Sequence, residues 1–215
     1  ALKTPEIPVA EYARRRDRVL TSLRKRGQKP IALVHAGDSD ATLHGTYRPH
    51  PHFEYLTGIV DEPGAILLFD ASAPAGRECS LLLKPLDPEV EKWDGLRDEI
   101  ATPLKVAYGI TQIMRLPRLG RVLDGCMQRT RTCACLHPFG WLGQSVSPDL
   151  AIFRQLQERY PGIEIQDQTA VLARMRSVKS KAEQKMIREA VEISRLGYDA
   201  MFRTVEPGMT EWDVM

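Results

Sequence analysis

The sequence lacks several features that mark specialised classes of protein. Its longest apolar stretches, such as residues 65–69, are far shorter than the roughly 20 residues that a membrane-spanning helix needs. Lys and Arg number 30 and Asp and Glu number 28, so the net charge is only +2. That balance provides no long-range field to attract a nucleic acid or an anionic membrane. We therefore expect neither as a partner.

Targeting signals are also missing from the sequence as it stands. The first residues do not contain the apolar segment of a signal peptide, although a segment already removed would leave no trace. A cytoplasmic location is the default expectation.

Cysteine is scarce, and its spacing does not suit a structural zinc site. The four cysteines are Cys79, Cys126, Cys133 and Cys135. Zinc sites usually need paired Cys-x2-Cys or Cys/His spacing, whereas Cys133 and Cys135 alternate as residues of a strand do. Both thiols are then expected on one face, packed in the core as small apolar groups.

The common catalytic fingerprints are absent as well. The sequence contains no Walker-type phosphate loop, no Gly-x-Gly-x-x-Gly and no Gly-x-Ser-x-Gly elbow. The pair His50 and His52, separated by Pro51, is interpreted as a surface loop rather than a metal site. Residues 37–40, Gly-Asp-Ser-Asp, are interpreted as a turn rather than a cation site.

Periodicity predicts an α/β fold. Apolar spacing predicts a first helix from Pro8 to Arg26, in which the run Arg14-Arg15-Arg16 forms a solvated face. Further helices are predicted over residues 110–123, bent at Pro117, and over residues 147–160. Short apolar runs predict strands over residues 31–35, 65–69, 81–83, 104–108, 132–136 and 163–166. Strands alternating with helices imply a sheet with helices on its faces.

The composition of the sequence changes near Arg174. Ser180 and Glu183 form a capping box, which predicts a long helix that ends at Glu206-Pro207-Gly208. Thr210 is then the expected N-cap of a helix that has barely one turn at Met215, too short to be stable alone. From these features we expect a fragment, with a first domain over residues 1–172 and the start of a second over residues 173–215. We expect no complete active site in it.

Four motifs in sequence order carry a family resemblance. Residues 47–69 place Tyr-Arg before Phe-x-Tyr-Leu-Thr-Gly, followed by Glu-Pro-Gly-Ala and an apolar strand. Residues 91–97 have the form Glu-x-Trp-x-Gly-x-Arg, residues 172–183 run from Leu-Ala-Arg to the capping box, and residues 206–211 read Glu-Pro-Gly-Met-Thr-Glu. Together they resemble the N-terminal domain of the aminopeptidase P and prolidase (creatinase-like, M24 metallopeptidase) family and the opening helix of its catalytic domain.

The resemblance implies both a fold and a chemistry. It implies a ribonuclease-H-like mixed β-sheet flanked by helices, followed by a truncated start of an α+β pita-bread domain. In the family the pita-bread domain binds two divalent metal ions, Mn, Zn or Co, which generate a hydroxide and polarise the peptide carbonyl. All five metal ligands would lie beyond Met215, so the resemblance assigns no catalytic and no metal residue to this chain, and the fragment alone is expected to be inactive.

The implied role of this part is to shape access to the active site of an Xaa-Pro aminopeptidase. The substrates would be peptides with proline in the second position, and the protein would be a homodimer or homotetramer. By this analogy Trp93, with Arg97 and Arg48, lies at the substrate entrance of a neighbouring subunit. The alternative for Trp93 is packing on its own sheet.

Other members of the family remain alternatives: a prolidase, a creatinase-like hydrolase without metal, or a binding protein. Two departures weaken the choice among them. His50 and His52 stand where the family usually has Asn, Asp or Ser, and Val60 adds one residue before the Glu-Pro turn.

Overall fold

The computed structural model describes residues 7–38, 47–87, 89, 92 and 99–214. Residues 8–177 form one compact unit, and residues 178–214 belong to a second unit. The boundary predicted between residues 172 and 173 falls inside a helix, Thr169–Ser177, and it stays a prediction.

The first unit alternates strands and helices along the chain. The strands are β1 (Ile31–His35), β2 (Ile66–Asp70), β3 (Cys79–Leu83), β4 (Gln112–Arg115), β5 (Thr132–Cys135) and β6 (Glu164–Asp167). The helices are α1 (Val9–Leu23), α2 (Pro51–Thr57), α3 (Thr102–Tyr108), α4 (Leu119–Met127), α5 (Pro148–Arg159) and α6 (Thr169–Ser177), with short 3-10 turns at Lys25–Gly27 and Leu116–Arg118.

The six strands form one mixed sheet in the order β4-β3-β2-β1-β5-β6. Strand β2 is antiparallel to both of its neighbours, while β3 pairs with β4, and β1 with β5, in parallel. The pair β5 and β6 is also parallel. The expected mixed sheet with flanking helices is therefore confirmed.

Both faces of the sheet are covered, as the near-continuous apolar strands predict. Along β1, Ala32 and Val34 enter one apolar cluster and Ile31 and Leu33 enter the other. Cys133 and Cys135 lie together in the second cluster, and their thiols are free. Burial raises the pKa of both thiols to about 12, so they are neutral packing groups.

Within the run Arg14-Arg15-Arg16 of α1, only Arg14 lies on the predicted solvated face, and the other two arginines are buried. Arg15 and Arg16 are each only 4% exposed. Arg15 Nη1 donates to the carbonyl of Tyr55 at 2.9 Å, and Arg16 Nη1 donates to the carbonyl of Leu56 at 2.9 Å. These carbonyls lie in the last turn of α2, where a helix has unpaired acceptors and favours a cation. Two charged side chains therefore join α1 to α2.

Two secondary-structure predictions were wrong in the segment before β5. Residues 104–108 belong to helix α3, which begins beside Pro103 and ends at Gly109 with φ of 59°. Residues 112–115 form β4 rather than helix, because Ile113 pairs with Leu81 and is buried against the core. Pairing between distant residues overrides local periodicity here.

The second unit begins with the predicted capping box. Ser180 Oγ accepts from the Glu183 amide at 3.2 Å, and the Glu183 carboxylate accepts from the Ser180 amide at 2.8 Å. Helix α7 (Lys181–Thr204) follows, and after the turn at Gly208 comes α8 (Glu211–Val214). None of the helices in the described ranges has the length and apolar composition of a membrane span.

Replacing Arg16 with Ala is expected to destabilise the fold. The side chain also donates to the carbonyl of Gly109 at 2.5 Å, so the change removes one donor from the carbonyl of Leu56 and one from that of Gly109. We expect a loss of about 3 kcal/mol in the free energy of unfolding, measured by chemical denaturation. The matched variant Arg18→Ala, on the exposed face of α1, should change it by less than about 0.5 kcal/mol. Equal effects of the two substitutions would contradict this role for Arg16.

Candidate functional site

Four histidines meet where three segments of the first unit end or begin. His35 is the last residue of β1, and His137 follows the end of β5 by two residues. Because β1 and β5 pair in parallel, their carboxyl ends lie at the same edge of the sheet. His50 and His52 lie at the start of α2, which begins beside this edge. The surface loop predicted for residues 50–52 is therefore wrong: the segment is a helix N-terminus, and His52 is buried.

The four rings form one connected cluster, in which His137 is in contact with the other three. The centroids of His50 and His137 are 4.4 Å apart, and those of His50 and His52 are 4.9 Å apart. His35 lies 5.8 Å from His137, in an edge-on arrangement. Most of these contacts join residues that are more than 80 positions apart in the sequence, so only the folded chain brings the rings together.

Hydrogen bonds determine which ring nitrogen carries the proton in three of these histidines. The amide of His35 donates to Nε2 of His137 at 2.9 Å, and the amide of His52 donates to Nδ1 of His50 at 3.1 Å. Arg176 Nη1 lies 3.1 Å from Nδ1 of His52, and a guanidinium can only donate. In each neutral ring the other nitrogen therefore carries the hydrogen.

This use of the lone pairs argues against a metal centre. A histidine binds a metal through a nitrogen lone pair, and in these three rings that lone pair already accepts a hydrogen bond. Within the described part of the chain, no group of three His, Cys, Asp or Glu side chains has an arrangement that could hold a metal ion.

The surroundings keep the histidines neutral. Burial is the main cause that lowers the pKa of His35 and His52 to about 4 and that of His137 to about 3. Burial, with the nearby charge of Arg176, also lowers the pKa of His50. The carboxylate of Asp149 acts in the opposite direction on all four rings but does not outweigh burial.

Asp149 is the fully buried carboxylate of this region. It lies in the first turn of α5, and its Oδ2 accepts from the amides of Leu136 and His137 at 2.8 and 3.0 Å. Its Oδ1 accepts from the amide of Leu150 at 2.9 Å. Three donors and the positive end of α5 compensate the charge, so Asp149 anchors the segment after β5 rather than acting as an exposed base.

Comparison with known families decides where the chain belongs. The family model for the N-terminal domain of aminopeptidase P matches residues 12–134, more than half of the chain. The chain belongs to this family. The resemblance noted in the sequence motifs is therefore confirmed.

Relatives of the aminopeptidase P domain match nearly the whole chain. Intermediate cleaving peptidase 55 of Schizosaccharomyces pombe is 27% identical over 93% of this chain and 41% of its own length. Xaa-Pro aminopeptidase of Haemophilus influenzae is 26% identical over 97% of this chain and 46% of its own length. The structure of Pseudomonas aeruginosa aminopeptidase PepP superposes with a TM-score of 0.74 at 25% identity, over 98% of this chain and 48% of that one. The chain thus spans less than half the length of these proteins.

Of the three site residues expected from the aminopeptidase P resemblance, Arg48 alone falls within the described ranges. Arg48 is exposed, next to the buried Pro49. Trp93 and Arg97 lie outside the described residues, as do Ser39 and Asp40 of the predicted turn. The access role of Arg48, Trp93 and Arg97 therefore stays a prediction.

Two sequence signals point to the histidine cluster of this aminopeptidase P domain, although periodicity alone does not reveal it. His35 ends a predicted strand and His137 directly follows another. If the two strands are assumed to be parallel neighbours, their carboxyl ends lie at the same edge of the sheet. That edge is the usual place for a binding site in an α/β sheet. No local signal indicates the burial of His52, which depends on packing after folding.

The free energy of unfolding of this domain should fall as the pH is lowered from about 6.5 to about 4. The unfolded chain protonates these histidines near pH 6.5, while the folded chain keeps His35 and His52 neutral until about pH 4 and His137 until about pH 3. The unfolded state binds more protons in this window, so acid favours unfolding.

A variant separates this effect from the titration of carboxylates. His137→Gln retains an acceptor for the amide of His35 but removes the titrating ring. Denaturation at several pH values should show a slope reduced by up to about 1.4 kcal/mol per pH unit. Parallel curves for the variant and the native chain would contradict a neutral His137.

Proposed function

We propose that this chain is the N-terminal, non-catalytic part of an Xaa-Pro aminopeptidase-like metallopeptidase, which hydrolyses the peptide bond before proline. The family match over residues 12–134 carries the proposal. It is supported by a relative named Xaa-Pro aminopeptidase that aligns with 97% of this chain and is about twice as long. In the proposed protein, a catalytic domain accounts for the additional length.

The metal ions of the proposed reaction belong to that catalytic domain. Two divalent ions, Mn, Zn or Co, would activate water and polarise the scissile carbonyl. His50, His52 and His137 do not fit this role, because their lone pairs already accept hydrogen bonds within the domain. No residue described here is assigned to the metals, and no step of hydrolysis is assigned to this chain.

The exposed face of α7 supports the presence of a further packing partner. Within residues 178–214, Val191, Tyr198 and Phe202 are 61%, 60% and 74% exposed and recur at spacings of seven and four along the helix. An apolar stripe of this kind normally packs against another element. In the proposed protein the remainder of the catalytic domain, which α7 opens, covers it.

The contribution of this chain would be geometric. In a homodimer or homotetramer, the N-terminal domain narrows the entrance to the active site of a neighbouring subunit and favours short peptides with proline second. Trp93, with Arg97 and Arg48, is the proposed contact with the substrate. The near-neutral charge of the chain is consistent with a cytoplasmic enzyme that needs neither nucleic acid nor membrane.

The activity is tested on the protein extended through the sequence that follows Met215. We expect metal-dependent release of the first residue from Xaa-Pro peptides, at least about 100-fold faster than from matched Xaa-Ala peptides, and its loss on chelation. Hydrolysis of Xaa-Pro dipeptides alone would indicate a prolidase instead. Absence of peptide hydrolysis with every metal would contradict the proposal and favour a creatinase-like hydrolase or a binding protein.

The access role is tested by Trp93→Ala in the same extended protein. Loss of a large apolar contact should raise KM for Xaa-Pro peptides by about tenfold while leaving metal content unchanged. Trp141→Ala, which removes an exposed Trp of the first unit, is the matched control and should leave KM unchanged. An unaltered KM and oligomer in Trp93→Ala would refute the role and favour packing of Trp93 on its own sheet.

A further inference from the structure

A pocket of about 320 Å³ opens beside the histidine cluster. The residues that line it include His35, His50, His137, Gln144 and Ser147. It lies within the first unit, where the carboxyl ends of β1 and β5 meet the N-terminus of α5. Nothing in the proposed hydrolysis uses it.

The two rings that contact each other at this pocket are hydrogen-bond donors. Nε2 of His137 and Nδ1 of His50 already accept backbone hydrogen bonds, so the hydrogens are on Nδ1 of His137 and Nε2 of His50. Gln144 also lines the pocket, and its amide has donor and acceptor groups. The two rings therefore offer N–H groups to the pocket rather than lone pairs.

Ser147 provides an independent indication of a ligand. The residue is 7% exposed, and its Oγ is buried without a hydrogen-bond partner among the described residues. It is the N-cap of α5, yet it makes none of the side-chain bonds to the first turn that a serine cap usually makes. A buried hydroxyl without a partner costs free energy, which a group bound in the pocket would recover.

The charges around the pocket favour a ligand that accepts hydrogen bonds. The N-terminus of α5, a helix of 12 residues, presents its positive end here. The nearby carboxylate of Asp149 is compensated by the three amides that it accepts from. Arg176, which contacts His52 behind the rings, adds a positive charge. Asp38 is exposed and pairs with Lys84 at 3.6 Å.

We propose that this pocket binds an oxyanion, the carboxylate or phosphate group of a small molecule, through the N–H groups of His50 and His137 and the hydroxyl of Ser147. An oxyanion only accepts hydrogen bonds, so it complements the N–H groups of the two rings and the hydroxyl of Ser147. The volume accommodates a small molecule around that group rather than a bare ion alone. The proposal does not depend on the peptidase activity of the longer protein.

The test is a titration of the 215-residue chain with inorganic phosphate and, separately, with acetate, at constant ionic strength kept by chloride. The ring signals of the histidines are followed by NMR. We expect saturable shifts of the His50 and His137 signals with at least one of the two anions. The anion that binds more tightly shows whether the pocket prefers a phosphate or a carboxylate group. If neither anion produces saturable shifts, the proposal is wrong.

Variants locate the binding. Ser147→Ala should weaken the affinity roughly tenfold, as expected for loss of a hydrogen bond to a charged group. Ser194→Ala, on the exposed face of α7, is the matched control and should leave the affinity unchanged.

Gln144→Glu, at an exposed position that cannot unfold the core, should abolish binding by placing a negative charge in the wall. Unchanged affinity in Gln144→Glu would overturn the assignment, even if Ser147→Ala failed to fold.

Discussion

The hydrogen bond from the amide of His35 to Nε2 of His137 is the constraint on which this edge of the fold depends. It joins the ends of β1 and β5 beyond their last ladder pair, between residues 102 positions apart. It also uses the only lone pair of a neutral imidazole. This one hydrogen bond therefore fixes the backbone at the ends of two strands. It also fixes the tautomer of His137, whose ring faces the pocket.

Other charged and polar groups stabilise the elements that meet at the same edge of the sheet. Arg15 and Arg16 hold the C-terminal turn of α2, and the N-terminus of that helix carries His50 and His52. Asp149 holds the segment after β5 through the amides of Leu136 and His137. Each buried charge is satisfied by the backbone of another element, so these groups specify where the elements lie. The histidines are thereby positioned by parts of the chain that are far apart in sequence.

Local patterns predicted much of this aminopeptidase P domain correctly. The strand at residues 31–35, the burial of Cys133 and Cys135 on one face and the capping box at Ser180 follow from short-range periodicity and were confirmed. Predictions failed where a distant partner decides the outcome. Ile113 joins a strand because β3 is beside it, and Arg15 and Arg16 are buried because α2 ends beside them. The histidine cluster needs the order of the strands, which a single sequence does not give.

The central claim is that His50, His52 and His137 are neutral rings whose lone pairs already accept hydrogen bonds. Long-range ¹H–¹⁵N NMR of the chain at pH 7 distinguishes the two tautomers and the charged form of each ring. The account predicts that the hydrogen is on Nδ1 of His137 and on Nε2 of His50 and His52. A charged ring at that pH, or the opposite tautomer at His137, would contradict it.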